Sequence, residues 1–150
     1  MADSVREKIV SNIATVVGNI TVVSGYAFDI KQVFRVPQNP FEMTDYPFSL
    51  VVDSTESKTD GDPAQFTQCK LRVEIITWMH HTENFAKEVL IGMAEIEKSL
   101  YLDQTRGGFA IDTTAVDNEL YISEMAMPLG GFRIGVEILY RHRIGDPYTK

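Results

Sequence analysis

The stretch QFTQCKLRVEIITWM, residues 65–79, decides the fold. Leu71, Val73, Ile75, Thr77 and Met79 fall on one side of it, and Lys70, Arg72, Glu74, Ile76 and Trp78 on the other. That alternation with a period of two is the mark of a β-strand. A strand this long belongs inside a sheet, paired on both sides. One face is apolar and demands cover from helices or a second sheet. The other mixes charges with two large apolar side chains.

Upstream lies STESKTDGDPA, residues 54–64, a polar run rich in turn formers that reads as a long flexible loop. Before it, residues 48–53 form a short apolar strand entered through Tyr46-Pro47. Earlier still, Tyr26, Phe28, Ile30, Phe34 and Val36 alternate with Asp29, Lys31 and Arg35, and Pro37 and Pro40 close that strand. The first element is a helix over residues 3–18. Ser4 and Glu7 are spaced as a capping box. Val5, Ile9, Ile13, Val16, Val17 and Ile20 then recur along one helical face, and Gly18 is placed to end it.

Downstream, residues 83–100 form a second amphipathic helix with Thr82 as its cap and Phe85, Val89, Met93, Ile96 and Leu100 as its apolar stripe. Residues 109–114 read as a short strand. A closing hairpin follows, with Leu120, Ile122 and Ala126 on one arm, a turn at Gly130-Gly131, and Phe132, Ile134, Val136, Ile138 and Tyr140 on the return. The order α-β-β-β-α-β-β-β predicts a single α+β domain over residues 1–150. Its sheet has five to six strands, mainly antiparallel or mixed, with two helices packed on one face.

Two helices packed side by side cover about 20 Å of sheet, whereas five strands span roughly 24 Å. The helix-free face therefore needs other cover. Ile76 and Trp78 point to that face, and Met125, Met127 and Leu139 occupy the matching phase of the final hairpin. These five residues are the expected contact surface for a second subunit or a partner.

Composition narrows the function classes. The chain has 150 residues, 44% hydrophobic and 23% charged, close to the average for a globular domain. Its single cysteine, Cys69, excludes an internal disulfide and fits a reducing compartment. Charges near the start stand where a signal peptide needs an apolar run, and no stretch is long and apolar enough for a membrane span. A net charge of −7 argues against a protein that grips nucleic acid.

Motifs for chemistry are absent. His80, His81 and Glu83 do not have the helical spacing of a zinc site. Glu56, Asp60 and Asp62 lack the register of a calcium loop. Gly107-Gly108 and Gly130-Gly131 belong to no phosphate-binding pattern, so tight turns explain them better. Cys69 sits within a strand, and no nucleophile elbow occurs. The basic trio Arg141, His142 and Arg143 is too short for a nucleic-acid stripe, and a contact with an acidic neighbour is an equal alternative. No catalytic residue, cofactor or metal is expected.

Taken in order, these segments resemble the tail terminator proteins of long-tailed bacteriophages, also called minor tail or tail completion proteins. The likeness covers nearly the whole chain: the opening helix, the Tyr46-Pro47-Phe48 entry to a strand, LRVEIITW at 71–78, and a helix ending IEKSLYLD at 96–103. It continues through LDQTRGGFAID at 102–112 and FRIGVEILYRHRIGDPY at 132–148. Arg106 departs from the pattern, where an apolar residue is more usual. The resemblance implies a structural protein rather than an enzyme. Six copies would form a ring that caps the tail tube, stops its polymerisation and joins the head-completion or neck proteins. DNA would pass through the lumen without specific binding, and an acidic surface suits that passage. The protein would act at the head-proximal end of the virion tail and be assembled in the host cytoplasm. On this reading the 54–64 loop, with Glu56, Lys58, Asp60 and Asp62, projects from the ring toward tube or neck. The alternatives are another virion connector, such as a head-completion or tail-tube protein, and a small cytosolic α+β enzyme or ligand-binding domain. The last needs a convergent polar pocket, which no motif seeds.

Overall fold

A computed structural model describes residues 1–60, 65–80, 82–121 and 129–150. Its elements are α1 (Val5–Gly18), β1 (Gln32–Phe34), β2 (Phe48–Asp60), β3 (Phe66–His80), α2 (Phe85–Tyr101), β4 (Asp112–Tyr121) and β5 (Leu129–Arg143), with a short 3-10 turn at Pro40–Glu42. The strands make one sheet in the order β1-β2-β3-β5-β4. β1 runs parallel to β2 and every other pairing is antiparallel, so the fold is α+β with a mixed sheet. β3 is central, and its pairing with β5 runs unbroken from Phe66↔Arg143 to His80↔Leu129.

The alternation in β3 is the alternation of its burial. Cys69, Leu71, Val73, Ile75 and Met79 face α1 and α2 beside Phe132, Ile134, Val136, Ile138 and Tyr140 of β5. From the helices come Val5, Ile9, Val10, Ile13 and Val17, then Phe85, Val89, Ile96 and Leu100. Each such side chain contributes roughly 1.5–3 kcal/mol on leaving water. The polar Thr77 of this face meets Ser49 hydroxyl to hydroxyl at 2.8 Å, which satisfies both in the core.

The ends of the helices follow local chemistry. The Ser4 hydroxyl accepts the Glu7 N–H at 3.1 Å and caps α1. The reciprocal half of the predicted box does not form, because the Glu7 carboxylate is taken by the Ser11 hydroxyl and by Arg35. Replacing Ser4 by Ala is expected to cost about 1 kcal/mol, read as a lower urea midpoint with an unchanged m-value. The Thr82 hydroxyl does not cap α2 but donates to Glu88; the N-cap position is Asn84, without a side-chain bond.

Several sequence expectations need correction. Residues 54–60 are not loop, because β2 runs on to Asp60 and pairs through a bulge between Asp53 and Glu56 with Thr67–Leu71 of β3. The cross-strand ladder and the partners of Glu56 outweigh the turn-forming composition; residues 61–64 lie outside the described residues. The strand expected from Tyr26 to Val36 shrinks to β1, and Tyr26, Phe28 and Ile30 reach the core from irregular backbone. The short strand expected at 109–114 and the start of the outgoing hairpin arm, with Leu120, are one strand, β4, so among the described residues two strands follow α2 rather than three. Gly130 and Gly131 are not a turn but part of β5, opposite Met79 and Trp78. The residues linking β4 to β5, with Ile122 and Ala126, lie outside the described residues. No described helix is long and apolar enough to cross a membrane.

Candidate functional site

Neither α-helix contributes to the second face of the sheet, and that face divides into an aromatic half and an ionic half. Along the aromatic half the register aligns Phe34, Leu50 and Ile76 in one row and Phe48, Trp78, Gly131 and Tyr121 in the next. Gly131 has no side chain, so the Trp78 indole passes over it and stacks on Tyr121 at 5.7 Å and 18°. The chain before β2 covers part of this face. Phe34 packs edge-on against Phe48, and Tyr46 lies against both Phe48 and His80, with its hydroxyl donating to the Pro40 carbonyl. Phe48 and Leu50 are buried in consequence, while Ile76, Trp78 and Tyr121 stay only partly buried.

The ionic half is a lattice. Arg72 bonds Asp117 at 2.9 Å and Glu74 at 3.4 Å; Arg133 reaches Glu74, Asp117 and Glu119 at 3.2–3.3 Å. The hydrogen bond from Arg72 holds the Asp117 carboxyl below its ordinary range. Exposed pairs of this kind add little stability one by one, but they fix side-chain positions beside the aromatic patch. Leu139 sits in this polar half, between Lys70 and Asp112 in the register, and so stands apart from Ile76 and Trp78. Met125 and Met127 lie outside the described residues.

The four residues expected on a partner-seeking loop separate. Glu56 turns inward with a side chain only 6% exposed, pairs with Arg6 at 2.6 Å and accepts the Tyr140 hydroxyl. It is a structural buried acid, not a loop contact. Lys58 and Asp60 are exposed on β2 opposite Cys69 and Thr67, and Asp62 lies outside the described residues.

Around Glu56 a polar cluster joins α1 to the sheet. Arg6 bonds Asp53 at 2.5 Å, and Arg35 links Glu7 at 3.1 Å with Asp53 at 3.7 Å. Burial pushes the Glu56 carboxyl up, but hydrogen bonds from Tyr140, Cys69 and Arg6 outweigh it and leave the group below its ordinary range. Burial, reinforced by Glu56, raises Tyr140, and burial raises the Cys69 thiol. These are the wrong directions for a nucleophile, which needs a thiolate.

Arg106 is the residue that sequence reasoning least foresaw. It is fully buried at φ 51°, and its guanidinium donates to the carbonyls of Leu100, in the last turn of α2, and Asp103, just beyond it. A long cation thus fills the place expected to be apolar and satisfies carbonyls that the helix end leaves open. The same turn is tied by Asp103, whose carboxylate accepts the N–H groups of Thr105 and Gly107. Tyr121 was legible as a strand residue but not as the stacking partner of Trp78. The signal was the glycine between them, which matters only once the register is known.

His80 rests against the Tyr46 ring, and His81 lies outside the described residues. Among the described residues no group of three His, Cys, Asp or Glu side chains is placed to hold a metal. A cleft of 350 Å³ opens beside His80, between Tyr46, Pro47, Met79, Glu88 and Ile91, with mostly apolar walls. No protein-family model and no curated protein matches the chain.

Proposed function

We propose that this chain is a ring-forming structural subunit, a tail terminator of a long-tailed bacteriophage. On this reading about six copies close on the end of the tail tube, stop its growth and present a joining surface to the head-completion proteins, while DNA passes through the lumen. The observation that carries the assembly part is the incompletely buried patch of Ile76, Trp78 and Tyr121, on the face that neither helix covers and beside a fixed ionic lattice. An apolar centre with a charged rim is the composition of a subunit interface. A patch of this kind meeting a different patch on the next copy gives a head-to-tail contact that closes by rotation. The phage assignment rests on the sequence resemblance, with the net charge of −7 favouring free passage of phosphates.

The test pairs two readouts. Trp78→Ala together with Ile76→Ala is expected to keep the far-UV circular dichroism and lose the ring by mass photometry. In infected cells the same variant is expected to give tubes of abnormal length that do not join heads. Rings and tails of normal size from the double variant would refute the placement of the interface. Normal tails from cells lacking the protein altogether would refute the terminator assignment itself.

A further inference from the structure

The cations of this acidic chain are not evenly spent. Arg6, Lys31, Arg35, Lys70, Arg72, Lys98 and Arg133 stand in ion pairs, and Arg106 is buried. Lys8, Lys58, Lys87, Arg141, Arg143 and Lys150 have no carboxylate in an ion pair among the described residues. Arg141 and Lys150 line a cleft of 470 Å³ together with Phe66, Phe109, Ala110 and Ile111, while Lys8 and Arg143 adjoin two of its wall residues, Phe109 and Phe66.

The geometry is specific. The Lys8 ammonium lies 5.2 Å from the centre of the Phe109 ring, and the Arg141 guanidinium 5.9 Å from that of Phe66. Arg143 is the register partner of Phe66. Lys150 reaches over Gly108, its ammonium 3.9 Å from where a β-carbon would sit. Aromatic rings hold Lys8 and Arg141 in place, and Arg141 and Lys150 stand in no ion pair among the described residues, whereas the Asp146 carboxylate lies within electrostatic reach of Arg143. The floor between them is apolar, with Ile111 44% exposed.

We propose that this cleft docks a short acidic segment of a partner protein, with a carboxylate between Arg141 and Lys150 and an apolar side chain against Phe109 and Ile111. Charge complementarity selects the occupant. A local cationic cleft attracts a few carboxylates, whereas the surrounding charge of −7 repels a long polyanion such as nucleic acid. The apolar floor adds contact that a bare phosphate does not use. The inference does not rest on the ring reading and holds for any assembly that presents this end.

The probe is a fluorescein-labelled peptide alternating Leu and Glu, followed by fluorescence anisotropy with the full chain. Saturable binding is expected, weakening in high salt. Arg141→Glu with Lys150→Glu is expected to weaken it by about tenfold or more, and the exposed Lys150→Gln alone by less, with circular dichroism unchanged in each. Lys58→Glu with Lys87→Glu, the unpaired lysines outside the cleft, is expected to leave binding as it was. Absence of binding, equal binding by the cleft variants, or equal weakening by the Lys58/Lys87 pair would each overturn the proposal. So would a single-stranded oligonucleotide or inorganic phosphate that displaces the peptide at a lower concentration than unlabelled peptide does.

Discussion

Gly131→Ala is expected to cost about 3 kcal/mol or more, while Gly135→Ala, four residues along the same strand, costs roughly 1 kcal/mol. Both glycines are buried in β5. A β-carbon on Gly131 would land on the Thr77 carbonyl oxygen, with the Trp78 α-carbon 3.2 Å away. Those atoms are backbone of the central strand and move only if the ladder moves. A β-carbon on Gly135 would instead meet the Asp117 carboxylate and the Arg72 guanidinium, the far ends of flexible and partly exposed side chains. They can swing aside at the loss of a surface ion pair. Total stability for a domain of this kind is about 5–15 kcal/mol, so the first substitution removes a large part of it. Urea midpoints measure the difference directly. Equal midpoints for the two variants would mean that the register across Trp78, Gly131 and Tyr121 is wrong, and the stacked pair with it.

Gly131 and its neighbour Gly130 also show where the sequence stops being legible. A Gly-Gly step between alternating apolar runs is the ordinary local sign of a turn. Only the long-range pairing of β5 makes Gly131 a close approach to the Thr77 carbonyl of β3, and sets Gly130 against the Phe85 ring and the Tyr121 carbonyl of β4. The polar run at 54–60 failed in the same way. Ser, Thr, Lys and Asp favour turns locally, yet the neighbouring strand supplies a ladder and Arg6 and Tyr140 supply partners for Glu56. By contrast α1, α2 and β3 were readable because each carries its burial as a period in its own residues. The face carrying Ile76 and Trp78 was readable for the same reason. Its division into aromatic and ionic halves was not, since it depends on Tyr121, Arg133 and Asp117 arriving from distant strands. Arg106 gave no usable signal either, because an arginine read alone says exposed. Its burial follows from the open carbonyls of Leu100 and Asp103, which no pattern of residue types announces.

The cluster around Glu56 makes the second large prediction, and pH reads it out. Glu56→Ala would leave the buried Tyr140 hydroxyl without its acceptor and strip Arg6 of one of two carboxylates. Losing the acid from this site should cost about 3 kcal/mol, against roughly 1 kcal/mol for Tyr140→Phe, which leaves the Arg6 pair intact. Glu56, Asp53 and Glu7 are all held below the ordinary values of 4.5 for Glu and 3.8 for Asp by their arginine, hydroxyl and other hydrogen-bond partners. A carboxyl with a depressed folded value binds fewer protons when native, so unfolding takes up protons in acid. Its contribution is complete above the unfolded value and is lost as pH falls through the folded one. Cys69 and Tyr140 act on the other flank. Raised above 9.0 and 10.0, they keep their protons in the native state, and stability declines as pH rises past those values. A plateau from about pH 4.5 to 9 with a fall on each side is the expected profile. Glu56→Gln keeps the shape and an acceptor for Tyr140 but removes one titrating group. Its acid fall should therefore be shallower than that of the wild type, and its plateau lower. An acid limb of unchanged steepness would mean that Glu56 is not ionised inside the native protein, and that the joint between α1 and the sheet is held by Asp53 alone.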